Sequence, residues 1–122
     1  YANPDMVGHT GILSAAIEAV ECIDRCIAQV SKAVRDMHGA LLICADHGNV
    51  ELMKDQNTGE AHTAHTNFDV PILLVSDAIK NIDLNDGCLA DVAPTMLELL
   101  ELPQPAEMTG TSLLKRSEIA EQ

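Results

Sequence analysis

An α/β fold is predicted for this chain by three features of its sequence. A long segment repeats its apolar residues every three or four positions, two short runs are apolar throughout, and a second, shorter helical pattern comes last. Each apolar run follows a polar or helix-ending stretch, so the element order reads helix, strand, loop, strand, helix.

Asn3-Pro4 reads as an N-cap followed by proline at the first helical position. A short turn from there sets Asp5 and His9 four positions apart, on one face. Thr10 offers a second cap, and a long helix is expected from it to about His38. Leu13, Ala16, Ile17, Val20, Ile23, Ile27, Val30, Val34 and Met37 form its apolar stripe, while Glu18, Glu21, Asp24, Arg25, Lys32 and Arg35 fall largely off it. The helix is therefore read as a core-packing element, with His38-Gly39 as its stop. Residues 40–45 are apolar without interruption, as in a strand buried on both faces, and Asp46-His47-Gly48-Asn49 follows at its carboxyl end. Residues 51–69 read as loop. Val70 to Val75 is a second buried strand, with Pro71 near its start, where a missing N–H is tolerated. A polar connection over 76–87 leads to a helix at about 89–100, with Val92, Met96, Leu97 and Leu100 inward and Pro103 and Pro105 ending it. The tail to Gln122 is expected to be ordered in part. Two doubly buried strands are too few for a sheet, so partner strands are expected from outside these residues.

Composition narrows the function classes. At 122 residues there is room for one core and not for two domains. Aromatic residues make up 2%, so that core is built from aliphatic side chains. Seven basic against 19 acidic residues, a net charge of −12, exclude a nucleic-acid footprint and describe a solvated acidic surface. Cys22, Cys26, Cys44 and Cys88 form no CxxC pair. Although Cys22 and Cys26 lie one helical turn apart, as in half a metal site, all four are read as small buried hydrophobes of a reduced, cytoplasmic protein. No apolar run approaches the roughly 20 residues that span a bilayer. The chain opens on Tyr1, inside a motif-like segment rather than at a methionine, so upstream residues are expected.

Histidine and aspartate fall in pairs at element ends: Asp5 with His9, Asp46 with His47, His62 with His65. Singly, each has a plain structural explanation. Asp5 suits the first turn of a helix, Asp46-His47-Gly48 suits a tight turn, and His62-Thr63-Ala64-His65 suits any polar loop. Together, flanking the elements of one small α/β unit, they match what metals that activate oxygen nucleophiles take as ligands. Asp46 and His47 also sit where open α/β sheets bind ligands, and a charge at the end of a buried strand needs a partner such as a cation.

The segments Tyr1-Ala2-Asn3-Pro4-Asp5-Met6-Val7-Gly8-His9-Thr10-Gly11, Ala45-Asp46-His47-Gly48-Asn49 and His62-Thr63-Ala64-His65-Thr66-Asn67 ahead of Val70-Pro71 resemble the C-terminal third of cofactor-independent phosphoglycerate mutases, in the alkaline phosphatase superfamily. Asp91-Val92-Ala93-Pro94-Thr95 and Glu107-Met108-Thr109-Gly110-Thr111-Ser112-Leu113 resemble that family's ending, so the likeness spans nearly the whole chain. One departure is Phe68-Asp69 ahead of Val70-Pro71, where many relatives carry a proline.

The resemblance implies that residues 1–122 are the C-terminal part of a metal-binding, alkaline-phosphatase-like three-layer α/β sandwich, incomplete without upstream strands. It implies a monomeric parent that interconverts 3-phosphoglycerate and 2-phosphoglycerate through a phosphoserine, with two divalent ions and no bisphosphoglycerate. Asp5, His9 and His65 would bind one ion, Asp46 and His47 the other, and His62 would support the site. The mixed ligand set favours Mn over Mg. No segment matches the family's nucleophilic serine motif, its further metal-binding aspartate or its substrate domain, so this chain alone is expected to be inactive. Two other readings compete: another enzyme of the superfamily, such as a phosphopentomutase or a phosphatase, and a metal-binding module without chemistry. The long first motif argues against the former.

Overall fold

The computed structural model describes residues 1–79 and 82–116; the expectation for the tail beyond Arg116 lies outside them. The chain divides into two compact units, Tyr1–Ala33 with Cys44–Pro71 and Val34–Ile43 with Ile72–Gln122.

In the first unit, helix α1 spans Asn3–Gly8, and its N-cap is Ala2, not Asn3. Pro4 still falls in the first turn, where its missing N–H would have had no helical partner. Thr10 does not cap the next helix. Its hydroxyl donates to the Val7 carbonyl at 2.6 Å and accepts from the Ile12 N–H at 3.2 Å, which ties off α1. Helix α2 starts three residues later and spans Leu13–Asp36. Its stripe is covered unevenly: Ala16 and Ala19 are buried and Ile23, Ile27 and Val34 half-buried, but Leu13, Ile17, Val20, Val30 and Met37 are exposed. A period of three and four marks which face is apolar, and burial depends on what lies against it, so the core-packing expectation holds only in part.

Residues 51–69 contain no regular strand, as expected, but they are not shapeless. Two antiparallel bridges, Gly48 to Thr66 and Lys54 to Ala61, fold them back on themselves. The tip is an Asx turn in which the Asp55 carboxylate accepts from the N–H groups of Asn57 and Thr58, both at 2.8 Å.

In the second unit, strands β1 (Ala40–Cys44) and β2 (Ile72–Ser76) pair as a two-stranded sheet. Neither is buried on both faces: Leu41, Leu42 and Ile43 are half-buried and Leu73 is exposed, because burial of both faces needs a layer packed on each side, which an apolar run does not itself supply. The connection over 76–87 hides a further strand. β3 (Ile82–Leu84) runs antiparallel to β4 (Leu114–Arg116), with Asp83 opposite Lys115. Three-residue strands are too short to show an alternating pattern, which is why the sequence reading missed both.

The expected helix at 89–100 is a 3-10 turn, Leu89–Asp91, leading into helix α3, Val92–Leu99. Its inner face is the expected one only in part: Val92 and Leu97 are half-buried, but Pro94 and Thr95 are the buried residues and Met96 and Leu100 are exposed. A polar clamp selects that face. The Thr95 hydroxyl donates to the Asp91 carbonyl at 2.7 Å and accepts from the Leu113 N–H at 2.9 Å. The buried Asp91 carboxylate accepts from the N–H groups of Thr111 and Cys88, at 2.7 Å and 2.8 Å. These bonds, first that from Thr111, hold the Asp91 carboxyl below the usual carboxylate range.

The cysteines are free, and three of the four are exposed: Cys22, Cys44 and Cys88, with Cys26 intermediate. The buried-hydrophobe expectation fails at β1's last residue and ahead of the 3-10 turn, two element ends where cover runs out, and on the open stretch of α2.

Both longer helices end in the same way. Gly39 N–H donates to the Val34 carbonyl and His38 N–H to Arg35, both at 2.9 Å; Leu102 and Glu101 repeat the pattern onto Leu97 and Glu98, at 2.9 Å and 3.0 Å. These are Schellman motifs, and their left-handed residues are His38 (φ 55°) and Glu101 (φ 56°) rather than glycine. Thus α3 is stopped by the left-handed Glu101, ahead of the prolines expected to end it.

Two outcomes follow for stability. His38→Gly and Glu101→Gly each relieve a left-handed side chain and raise stability by about 0.5–1 kcal/mol, after allowing for glycine's greater unfolded-state freedom; urea unfolding measures this. Asp91→Asn destabilises at neutral pH. Because the folded-state pKa of Asp91 is lowered, its contribution is present above the ordinary aspartate value of 3.8 and is lost as pH falls through the lower folded value. The gap in melting temperature between variant and parent therefore narrows below pH 3.8, and a gap that stays constant across that range would contradict the clamp.

Candidate metal centre

The first unit brings Asp5, His9 and His65 together. One ligand atom from each lies within 4.8 Å of the others. The i,i+4 spacing along α1 puts His9 Nε2 3.4 Å from Asp5 Oδ1. His65 comes from 60 residues further along the chain, and its Nε2 stands 2.9 Å from the same oxygen. The Gly48–Thr66 bridge makes this possible: Thr66 N–H donates to the Gly48 carbonyl at 2.9 Å, which lays the His65 segment beside the Asp46-His47 segment. The rings of His47 and His65 are stacked with centroids 3.8 Å apart.

His47 thereby becomes a member of both groups expected from the sequence. Its Nε2 is 3.9 Å from Asp5 Oδ1 and 3.8 Å from Asp46 Oδ1. β1 has ended at Cys44, two residues before Asp46, so strand alternation no longer sends neighbouring side chains to opposite faces. Asp46 itself is the open edge of the site, its side chain 87% exposed.

The orientation of two histidine rings follows from hydrogen bonding. His9 Nδ1 lies 2.7 Å from the Thr63 carbonyl and His47 Nδ1 3.3 Å from the Gly48 carbonyl. A carbonyl only accepts, so each Nδ1 donates, and each ring is thereby turned with its Nε2 toward the Asp5 carboxylate. One carboxylate and imidazole Nε2 atoms within 4.8 Å are a donor set that fits a divalent transition-metal ion, with main-chain carbonyls fixing the rings as such ligands require.

Residues 1–104 match the family profile described as Metalloenzyme superfamily, a stretch that contains every residue named above. The chain belongs to the metalloenzyme superfamily. Among relatives, it is 60% identical to the 2,3-bisphosphoglycerate-independent phosphoglycerate mutase of Rhodopseudomonas palustris, over 93% of this chain and 22% of that protein. It is 54% identical to the enzyme of the same name from a Cyanothece species, over 98% of this chain and 24% of that one. Among solved structures it is similar to Leishmania mexicana phosphoglycerate mutase crystallised at low cobalt concentration, with a TM-score of 0.83 and 30% identity over 96% of this chain and 24% of that one. The chain thus spans about a quarter or less of the length of these relatives. The fold is the α/β arrangement of the alkaline-phosphatase-like enzymes.

Within this metalloenzyme chain, His62 does not join the cluster. It lies at the base of the 53–62 excursion, its N–H on the Met53 carbonyl at 3.1 Å and its ring in electrostatic reach of Asp55. Three residues that the sequence reading passed over do belong to the site. Asn49 Nδ2 donates to Asp5 Oδ1 at 2.8 Å. Glu51 Oε2 accepts from the Asn49 N–H at 2.7 Å, while its other oxygen takes the Thr66 hydroxyl. Burial pushes the Glu51 carboxyl up, but the bonds from Thr66 and from main-chain N–H groups outweigh it and the net shift is downward. Asp5 also titrates below the usual carboxylate range, chiefly through the Asn49 bond, against partial burial and with help from His9, His65 and His47. In the sequence Asn49 and Thr66 lay inside the motif segments around Asp46-His47 and His65 without a role of their own, and Glu51 had no signal beyond its place shortly after Asp46-His47.

Gly8 completes the packing. A Cβ there would meet the Asn49 side chain, with Oδ1 at 2.2 Å, and that amide is pinned and cannot swing away cheaply. Gly8→Ala is expected to cost about 1–3 kcal/mol of stability in thermal melts, the usual penalty of overpacking. A neutral Gly8→Ala would show that the amide is free to move.

Proposed function

We propose that this chain is the metal-holding part of a 2,3-bisphosphoglycerate-independent phosphoglycerate mutase, a cytoplasmic enzyme of glycolysis and gluconeogenesis that interconverts 3-phosphoglycerate and 2-phosphoglycerate. The observation that carries this reading is the convergence of imidazole Nε2 atoms from His65, His9 and His47 on Asp5 Oδ1, at 2.9, 3.4 and 3.9 Å. The 60% identity to a mutase of that name supports the substrate class.

In this reading residues 1–122 form part of the phosphatase-like domain. Asp5, His9 and His65 hold one ion, Asp46 and His47 hold a second together with ligands from other residues, and His62 supports the loop that carries His65. An imidazole-rich donor set favours Mn over Mg. When bound, the ions supply positive charge to phosphoryl oxygens and ease the ionisation of a hydroxyl nucleophile. The chain's own part is to keep Asp5 ionised and to present Nε2 of His9 and His47, through Nδ1–H bonds to carbonyls. Among the described residues, no hydrogen bond of Asp5, His9, Asp46, His47 or His65 goes to a serine hydroxyl. In this reading the phosphoserine comes from residues outside this chain, since no segment here matches the family's nucleophilic serine motif. With seven basic residues against 19 acidic, the groups that clamp the substrate phosphate come from outside as well. Free thiols fit a reducing compartment.

Calorimetric titration with Mn2+ and an enolase-coupled mutase assay test the reading. The chain binds Mn2+, and His65→Ala weakens binding by more than about tenfold, since even outer partners of ligands contribute that much. The chain alone gives no turnover of 3-phosphoglycerate; the complete protein containing it does, and His9→Ala there lowers activity by more than about 100-fold. Absence of Mn2+ binding would overturn the metal reading, and turnover by the chain alone would overturn the outside nucleophile.

A further inference from the structure

We infer that Asn49 is a positioning residue for the Asp5 ligand, holding the carboxylate in the one orientation that captures a cation with His9 and His65; the inference rests on the metal reading above. Asn49 is only 5% exposed. Its Nδ2 reaches two atoms of Asp5, the carboxylate Oδ1 at 2.8 Å and the main-chain carbonyl at 3.3 Å. Both are acceptors, so the amide can face Asp5 only with its NH2, and its orientation is settled by chemistry.

The arrangement does more than fill space. A free aspartate on a helix turn rotates about two side-chain bonds, and each wrong rotamer takes Oδ1 away from the imidazoles. Gripping the side chain and the main chain of Asp5 at once fixes the carboxylate relative to the helix that also carries His9. The grip is itself held at its root, where the Asn49 N–H donates to Glu51 Oε2 at 2.7 Å and Glu51 binds the Thr66 hydroxyl, next to His65. Asn49 therefore references Asp5 to both other ligands, one through α1 and one through Thr66. The amide's second end shows that the donor, not the acceptor, is in use. Asn49 Oδ1 is buried and accepts no hydrogen bond among the described residues, facing Gly8 at a distance that leaves no room for a Cβ. A buried carbonyl left without a donor costs stability, and the gain that offsets it is the fixed Asp5.

The test uses the full chain titrated with Co2+ and followed by the visible absorption of the bound ion. Variants are Asn49→Leu, which keeps the shape and removes the donor, Asn49→Ala, Asp5→Ala, and Asp5→Ala combined with Asn49→Leu. Each is also melted in chelator. Expected are a 10- to 100-fold, or about that, loss of Co2+ affinity in both single Asn49 variants, an altered absorption band, and no further loss when Asn49→Leu is added to Asp5→Ala. A merely structural Asn49 would lower the chelator melting temperature and weaken Co2+ equally in both backgrounds. Unchanged affinity and band in Asn49→Leu, or the same loss with Asp5 already gone, overturns the inference and leaves the metal reading standing. No Co2+ binding by the unaltered chain overturns both. Should the variants not fold, the unaltered chain is read by NMR with Zn2+: the Asn49 side-chain amide protons exchange slowly and shift on metal addition, and fast exchange overturns the inference.

Discussion

One carboxylate oxygen gathers the imidazoles of this chain around it. Asp5 Oδ1 is faced by Nε2 of His65, His9 and His47 within 3.9 Å, and two of those rings are turned that way because their Nδ1 atoms lie against main-chain carbonyls. Such a cluster stays together only if the surrounding structure holds it or a cation fills it. Much of the first unit is arranged to do the former. The single turn of α1 sets the first two side chains, the Gly48–Thr66 bridge delivers the third and fourth, and the Asn49 and Glu51 bonds tie the two deliveries together.

The second unit meets a different demand with similar means. Among its described residues the largest fully buried side chains are only those of Pro94 and Thr95. What closes it is an aspartate that takes one main-chain N–H from nearby Cys88 and one from Thr111 further along the chain, and a threonine that bridges a helix to a strand approach. A buried carboxylate is tolerable there because it is fully occupied as an acceptor. In both units a short acidic side chain gathers segments that the sparse, aliphatic core does not hold by contact alone.

The sequence made the α/β order visible, because long periods and unbroken apolar runs survive any context. Asp5, His9, Asp46, His47 and His65 stood out because charged and titratable residues at element ends are unusual enough to need a reason. What stayed hidden has physical causes. The exposed side of α2 was unreadable since periodicity at Leu13, Ile17 and Val20 reports apolarity and not cover. The strands at 82–84 and 114–116 pair across some 30 residues, and neither is long enough to alternate. Helix stops were sought at glycine and proline, yet hydrogen bonding to Val34 and Leu97 carbonyls forces His38 and Glu101 into the left-handed region. Asn49 was invisible as a site residue because an asparagine beside a glycine reads first as a turn.

His9 owes its orientation to the Thr63 carbonyl, an atom that every amino acid possesses. Position 63 can therefore change its side chain through long stretches of evolutionary time while the ring above it keeps its direction. The orienting contact is inherited through the path of the backbone, so a comparison of residue identities would leave it unrecorded. What would disturb it is a change in where the chain runs: an insertion or deletion between Ala61 and His65, or a proline that bends it. In this loop, length is under tighter chemical control than composition.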